Sequence, residues 1–203
     1  MSSSSSRWLQ RQRRDKYVRD AKVAGYRSRA AFKLLEISRR TGMFRSVRRV
    51  VDLGAAPGGW SQVVSSILDP QSAVFAIDKL SMDSIPGVQF RKADITDACF
   101  SEEMKVWVGV SSLDLVLSDI APNLSGIASV DQASMSGLVM IAANFCEIYL
   151  KKGGNFLVKV FEGDELPRIK DRLRGEFSKI TILKPKASRS DSAELYLWCC
   201  GRR

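Results

Sequence analysis

"RRVVDLGAAPGGW", residues 48–60, decides how the rest of the chain is read. A short apolar run, Val50, Val51 and Leu53, passes through glycines into what reads as a helix. That strand–turn–helix order is the opening unit of an α/β sheet, and its glycines let backbone approach a ligand closely. The loop is not a Walker A, because no Gly-Lys-Ser/Thr follows. It also departs from the dinucleotide pattern G-x-G-x-x-G, since Ala55, Ala56 and Pro57 separate Gly54 from Gly58. A pyrophosphate is held by backbone N–H groups at a helix start, and Pro57 lacks one. The loop therefore favours an adenosine ligand without phosphates, such as S-adenosylmethionine, over NAD. A tight turn with ordinary caps and no ligand is the plain alternative.

Downstream, strands and helices alternate. "AVFAID" (73–78), "VQFRKAD" (88–94), "LDLVLSD" (113–119) and "NFLVKVF" (155–161) read as buried strands. "FSKITILKP" (177–185) and "AELYLWCC" (193–200) read as strands six and seven, paired antiparallel. Helices are expected over 59–68, 131–152 and 165–174. The second of these places Leu138, Ala142, Phe145 and Tyr149 on one face, with Lys151 and Lys152 at its end and Gly153 as C-cap. Near-continuous apolar strands separated by helices imply a seven-stranded, mostly parallel sheet covered on both faces. Ligands of such sheets bind beyond the carboxyl ends of the strands. Asp78, Asp94 and Asp119 stand at those ends. Asp78 is placed to accept ribose hydroxyls and Asp94 to meet an adenine amino group.

Upstream, residues 1–6 are a serine run that reads as disordered, and residues 1–27 as a basic arm preceding one domain, 28–203. "SRAAFKLLEISRRTG" (28–42) reads as a helix capped by Ser28, with Ala31, Leu34 and Leu35 on its stripe and Gly42 at its end. Residues 1–49 hold 15 Lys and Arg against 3 Asp and Glu, a balance of +12; the other 154 hold 17 against 19. Localised cations interleaved with Trp8, Tyr17, Tyr26 and Phe32 are the footprint of a polyanion. A solvated basic face, or a tail for acidic lipid, is the bland alternative. No 18-residue apolar run is present, and the N-terminus lacks the apolar core of a secretory signal. Its Arg and Ser content leaves an organelle transit peptide as the alternative to a cytoplasmic protein without membrane attachment. Histidine is absent, and Cys99, Cys146, Cys199 and Cys200 form no C-x-x-C pair. Neither a zinc site nor a His-based triad is expected, and acid–base work falls to Lys, Asp, Glu, Tyr or Cys.

Three charged residues sit where apolar ones are expected. Lys159 interrupts Phe156, Leu157, Val158, Val160 and Phe161. A lone buried ammonium is costly, so it needs partners or a use. Glu194 raises the same question in the last strand, sharing a face with Tyr196 and Trp198 by period two. Lys33 lies among apolar neighbours in its helix, where an ordinary solvated lysine is the simpler reading.

Together these strings are familiar. "SRAAFKLLEI", "VVDLGAAPGGWSQVV", "SDIAPNLSG", "LVKVFEG" and "SAELYLW" resemble the FtsJ/RrmJ family of bacterial ribosomal RNA 2′-O-methyltransferases, over nearly the whole chain. The resemblance implies a Rossmann-like class I S-adenosylmethionine-dependent methyltransferase that needs no metal. It places a catalytic tetrad on Lys33, Asp119, Lys159 and Glu194, and methyl-donor contacts on Gly58, Trp60, Asp78, Asp94 and Asp119. It points to a uridine in the A loop of 23S rRNA, methylated on the large (50S) ribosomal subunit by a monomer. Lys159 is the expected proton acceptor; a charged Lys159 that orients the 2′-oxygen is the alternative. RNA contacts are expected from Arg11, Arg13, Arg14, Lys16, Arg19, Lys22 and Arg29. Rival readings are a 2′-O-methyltransferase of a tRNA anticodon loop or mRNA cap, a nicotinamide-dependent dehydrogenase, and a non-enzymatic RNA-binding assembly factor.

Overall fold

The structure, a computed structural model, describes residues 15–97, 100–189 and 192–203. The serine run and Arg11, Arg13 and Arg14 lie outside the described residues. Seven strands form one sheet: β1 (Arg49–Leu53), β2 (Ala73–Asp78), β3 (Val88–Lys92), β4 (Leu113–Ser118), β5 (Leu150–Phe161), β6 (Phe177–Leu183) and β7 (Glu194–Arg202). Their order is β3-β2-β1-β4-β5-β7-β6. Strand β7 runs antiparallel to β5 and β6, and every other pairing is parallel. The expected antiparallel pairing of the last two strands is present.

Six helices are described: α1 (Lys16–Val23), α2 (Ala30–Thr41), α3 (Gly59–Ile67), α4 (Phe100–Trp107), α5 (Ala128–Tyr149) and α6 (Leu166–Glu176). On one face, Leu34 and Ile37 of α2 and Trp60 and Val63 of α3 pack on Val50, Leu157 and Tyr196. On the other, Met104, Ala142 and Leu173 from α4, α5 and α6 pack on Val51, Phe156 and Leu197. Burial on both faces is why the central strands carry apolar residues without alternation. The same geometry turns Lys159 toward the α2 side, because its strand neighbours Val158 and Val160 belong to the opposite core.

Several local expectations are corrected. Helix α5 stops at Tyr149, and Leu150 leads directly into β5. Lys151 and Lys152 are therefore strand residues, and Gly153, at φ 77°, is no cap. Lys151 finds its counter-charge across the sheet in Asp114 of β4. Helix α2 starts at Ala30 with Arg29 as N-cap, and Ser28 makes no cap. Ser28 packs instead on Gly59, where a Cβ would overlap its hydroxyl. Ile37, not Leu35, completes the buried stripe of α2. Helix α4 has no counterpart in the sequence reading. Gly42 does end α2, in the left-handed conformation that glycine favours.

The described part of the basic arm is docked. Asp15 caps α1 by accepting the Tyr17 N–H at 3.0 Å, and Tyr17 packs on Phe32 of α2 with centroids 5.7 Å apart. None of the described helices is long and apolar enough to cross a membrane.

Candidate active site

Beyond the carboxyl ends of β1, β2 and β4 lies a cavity of about 520 Å³. Gly54 forms its base at φ 75°, and a Cβ there would overlap Ile120, so only glycine lets the β1 turn meet the β4 loop. Asp78 is fixed at the wall by two backbone donors, Ala56 N at 2.9 Å and Leu80 N at 2.7 Å. Asp94 accepts from the Thr96 N–H and hydroxyl, both on Oδ1. Those bonds hold its carboxyl below the usual range. Two carboxylates at strand ends, with apolar walls from Ile77, Leu80, Ile95 and Leu138, fit a nucleoside whose ribose hydroxyls and exocyclic amine both donate.

Asp78, Asp94 and Asp119 all line this cavity, but Gly58 and Trp60 do not. Gly58 is the N-cap of α3 at φ 109°, packed against Ile85 and Arg27. The Trp60 indole N–H donates to the Ala30 carbonyl at 2.8 Å, and its buried ring lies 5.8 Å from that of Tyr196. Both shape the loop from behind. Arg27 braces the same loop, donating to the carbonyls of Pro57 (3.3 Å), Asp83 (2.7 Å) and Ser84 (2.8 Å).

Asp119 joins the cavity to a cluster of charge. It leaves the end of β4, whose neighbour β5 carries Lys159 near its own end. Lys159 Nζ lies 2.7 Å from Asp119 Oδ1, 2.8 Å from the Asp119 carbonyl and 3.7 Å from Glu194 Oε2. Lys33, from α2, reaches Glu194 Oε1 at 2.6 Å. All four tetrad residues are thus brought together. Pairing across β5 and β7 explains the reach: Lys159 stands opposite Tyr196, and Glu194 is the diagonal neighbour two residues away. Lys33, Lys159 and Glu194 are each less than one-tenth exposed.

Burial pushes the Asp119 carboxyl up, but the Lys159 and Lys33 charges outweigh it and hold it below the usual range. Burial pulls Lys159 down, and there Asp119 and Glu194 win, holding its ammonium above the ordinary lysine value.

Three contributors have no role assigned from the sequence, although Asp52 stands among the polar residues at the strand ends and Tyr196 on the face of Glu194. The Tyr196 hydroxyl donates to Asp119 Oδ1 at 2.7 Å, and Lys33 lies over its ring at 5.8 Å. The signal available was its period-two spacing from Glu194. Ser188 donates to Glu194 Oε1 at 2.8 Å from a loop that carries no recognisable pattern. Asp52, on β1, is buried, and its Oδ2 accepts from Ser61 at 2.7 Å. Its Oδ1 has no hydrogen-bond partner among the described residues. Burial pushes its carboxyl up to about 7 against the Ser61 bond, and the charges of Asp119 and Asp78 add to the rise.

Of the expected RNA contacts, Lys16, Arg19 and Lys22 are exposed on α1. Arg29 is not available in the same way. Its half-buried guanidinium pairs with Asp15 and donates to the Ala187 carbonyl, and Arg189 reaches the same Asp15 oxygen at 3.5 Å. It ties α1 to the β6–β7 loop. The reason is Asp15: one carboxylate amid the basic arm captures the nearest arginines.

A curated "Ribosomal RNA large subunit methyltransferase E" from Hahella chejuensis is 46% identical over 202 residues, covering 100% of this chain and 98% of the relative. Its namesake from Chromobacterium violaceum is 44% identical with the same coverage. The crystal structure of a candidate ribosomal RNA methyltransferase from Plasmodium falciparum superposes with a TM-score of 0.77 at 29% identity, covering 87% of this chain and 98% of that one. The family model for FtsJ-like methyltransferases matches residues 26–202, and the chain belongs to that family.

Proposed function

We propose that this protein transfers a methyl group from S-adenosyl-L-methionine to the ribose 2′-oxygen of a uridine in the A loop of 23S rRNA, on the assembled 50S particle. The observation that carries the reading is Asp119, which both lines the nucleoside-sized cavity and holds Lys159. The names of the relatives supply the large-subunit RNA, and the motif resemblance supplies the 2′-oxygen, the uridine and the A loop. S-adenosylmethionine, when bound, supplies a methyl group activated by its sulfonium. The chain's own residues hold the adenosine through Asp78 and Asp94, position the ribose hydroxyl at Lys159 and take its proton. With Lys159 in its minor amine form, the 2′-oxygen would bond to the methyl carbon as the methyl–sulfur bond broke and left its electron pair on sulfur, and the hydroxyl proton would pass to the lone pair of Lys159 Nζ. Asp119 and Glu194 keep the side chain aimed, and Lys33 holds Glu194.

The raised Lys159 pKa favours a second reading, in which the ammonium stays charged, orients the 2′-oxygen and stabilises developing negative charge. The pH profile separates them. A proton acceptor drawn from the small amine fraction gives kcat rising about tenfold per pH unit into the alkaline range. A charged clamp gives a flat profile over the same range. For the substrate, labelled methyl transfer to 50S particles, free 23S rRNA and tRNA is compared. Label confined to one A-loop ribose supports the proposal, and label in tRNA or on a base overturns it.

A further inference from the structure

A second concavity, of about 570 Å³, lies between α1, α2 and the β6–β7 loop. Tyr17 and Phe32 form one wall, their half-buried rings 5.7 Å apart and tilted by 47°. Arg39, Arg40 and Lys186 surround it, all exposed. Glu36 is the one carboxylate among the lining residues. It is already engaged: Oε2 accepts the Lys186 N–H at 2.8 Å, and Oε1 lies 3.8 Å from Arg40. Three cations therefore face one partly neutralised acid beside a pair of aromatic rings.

The groove shares its walls with the tetrad. Phe32 precedes Lys33 on α2, and Ala187 precedes Ser188 in the loop. Lys33 and Ser188 both bond the same Glu194 oxygen. A strand presenting one ribose at Lys159 would run over this shared wall into the groove. Rings that stack a base, next to cations that pair phosphates, are how proteins hold a single strand.

Resting on the proposed function, we infer that this groove receives a nucleotide flanking the methylated one, its base against Tyr17 and Phe32 and its phosphates on Arg39, Arg40 and Lys186. The test compares R39A/R40A/K186A and Tyr17→Leu with wild type, with Tyr17→Trp as the rescue of the second, and RNA affinity is measured across a salt series. The triple variant is expected to bind RNA at least tenfold more weakly. Its dependence of log affinity on log salt should be shallower by about 2, at about 0.7 for each single-strand phosphate left without its cation. Tyr17→Leu is expected to lose at least fivefold without changing that slope, and Tyr17→Trp to restore binding. Affinity for S-adenosylmethionine, unchanged in all variants, shows that the fold is intact. RNA affinity and slope equal to wild type in both variants would overturn the groove while leaving the proposed function standing. A wild type that binds RNA in this groove yet transfers no methyl group to it would sink the function and leave the groove.

Discussion

Lys159 donates to the carboxylate and the carbonyl of Asp119, just past the end of β4, and pairs in charge with Glu194 of β7. It is visible in sequence because it breaks an apolar run. Tyr196 is not visible, since a buried tyrosine in a strand is ordinary until its hydroxyl is seen on Asp119. The charges are coupled, and this makes a prediction. Asp119→Asn removes the nearest group that holds Lys159 protonated, so the Lys159 pKa should fall. Observing Nζ by NMR through an alkaline titration measures it, and an unchanged or higher pKa would contradict the assignment. Asp52 makes the opposite case on the same sheet. Its carboxyl is raised to about 7 in the folded protein, so its contribution to stability is full below the unfolded value and lost as pH rises through 7. Between about pH 4 and pH 7 that loss runs at roughly 1.4 kcal/mol per pH unit. Asp52→Asn should flatten this part of the profile, as read by urea unfolding at several pH values. An equal slope in both proteins would show that Asp52 does not titrate in that window.

At the level of elements, the βα unit that opens the fold was readable because its glycines and strand pattern have few other solutions. Its bracing was not readable. Arg27 lies 30 residues before Pro57 and 56 before Asp83, and nothing in the sequence pairs them. By donating to carbonyls on both sides, its guanidinium fixes the turn after β1 relative to the segment after β2. Asp78, which lines the cavity, is the last residue of β2 and leads into that second segment. Arg27→Ala should therefore raise KM for S-adenosylmethionine about tenfold, with kcat at saturation reduced far less, the size expected from losing charged hydrogen bonds of about 1.5 kcal/mol. Steady-state kinetics with each substrate varied in turn decides the point. A rise confined to KM for RNA would assign Arg27 to the RNA surface instead. The boundary between α5 and β5 was misread for a different reason. Lys-Lys-Gly looks the same at a helix end as at a strand start, and only Asp114 on the adjacent strand distinguishes them.

On the scale of the whole molecule, charge and chemistry are divided along the chain. The first 49 residues carry +12 and the remainder −2, and among the described residues α1 and α2 belong to this basic pole. The α/β body beneath supplies the cavity and three members of the tetrad, while α2 supplies Lys33 to both parts. Such a pole should act on encounter with a polyanion more than on the chemical step. Neutralising Lys16, Arg19 and Lys22, all exposed on α1, should therefore lower kcat/KM for RNA at low salt while kcat at saturating RNA is retained. The variant should also lose salt sensitivity, its slope against log salt falling by about 2 for three cations at about 0.7 each. At high salt, where charges beyond a few ångströms are screened, the two proteins should converge. Measuring kcat/KM from low to high ionic strength checks all three parts. If the variant and wild type instead differ by a constant factor at every salt concentration, α1 acts through its packing on α2, as the Tyr17–Phe32 contact allows, and its cations do not meet the RNA.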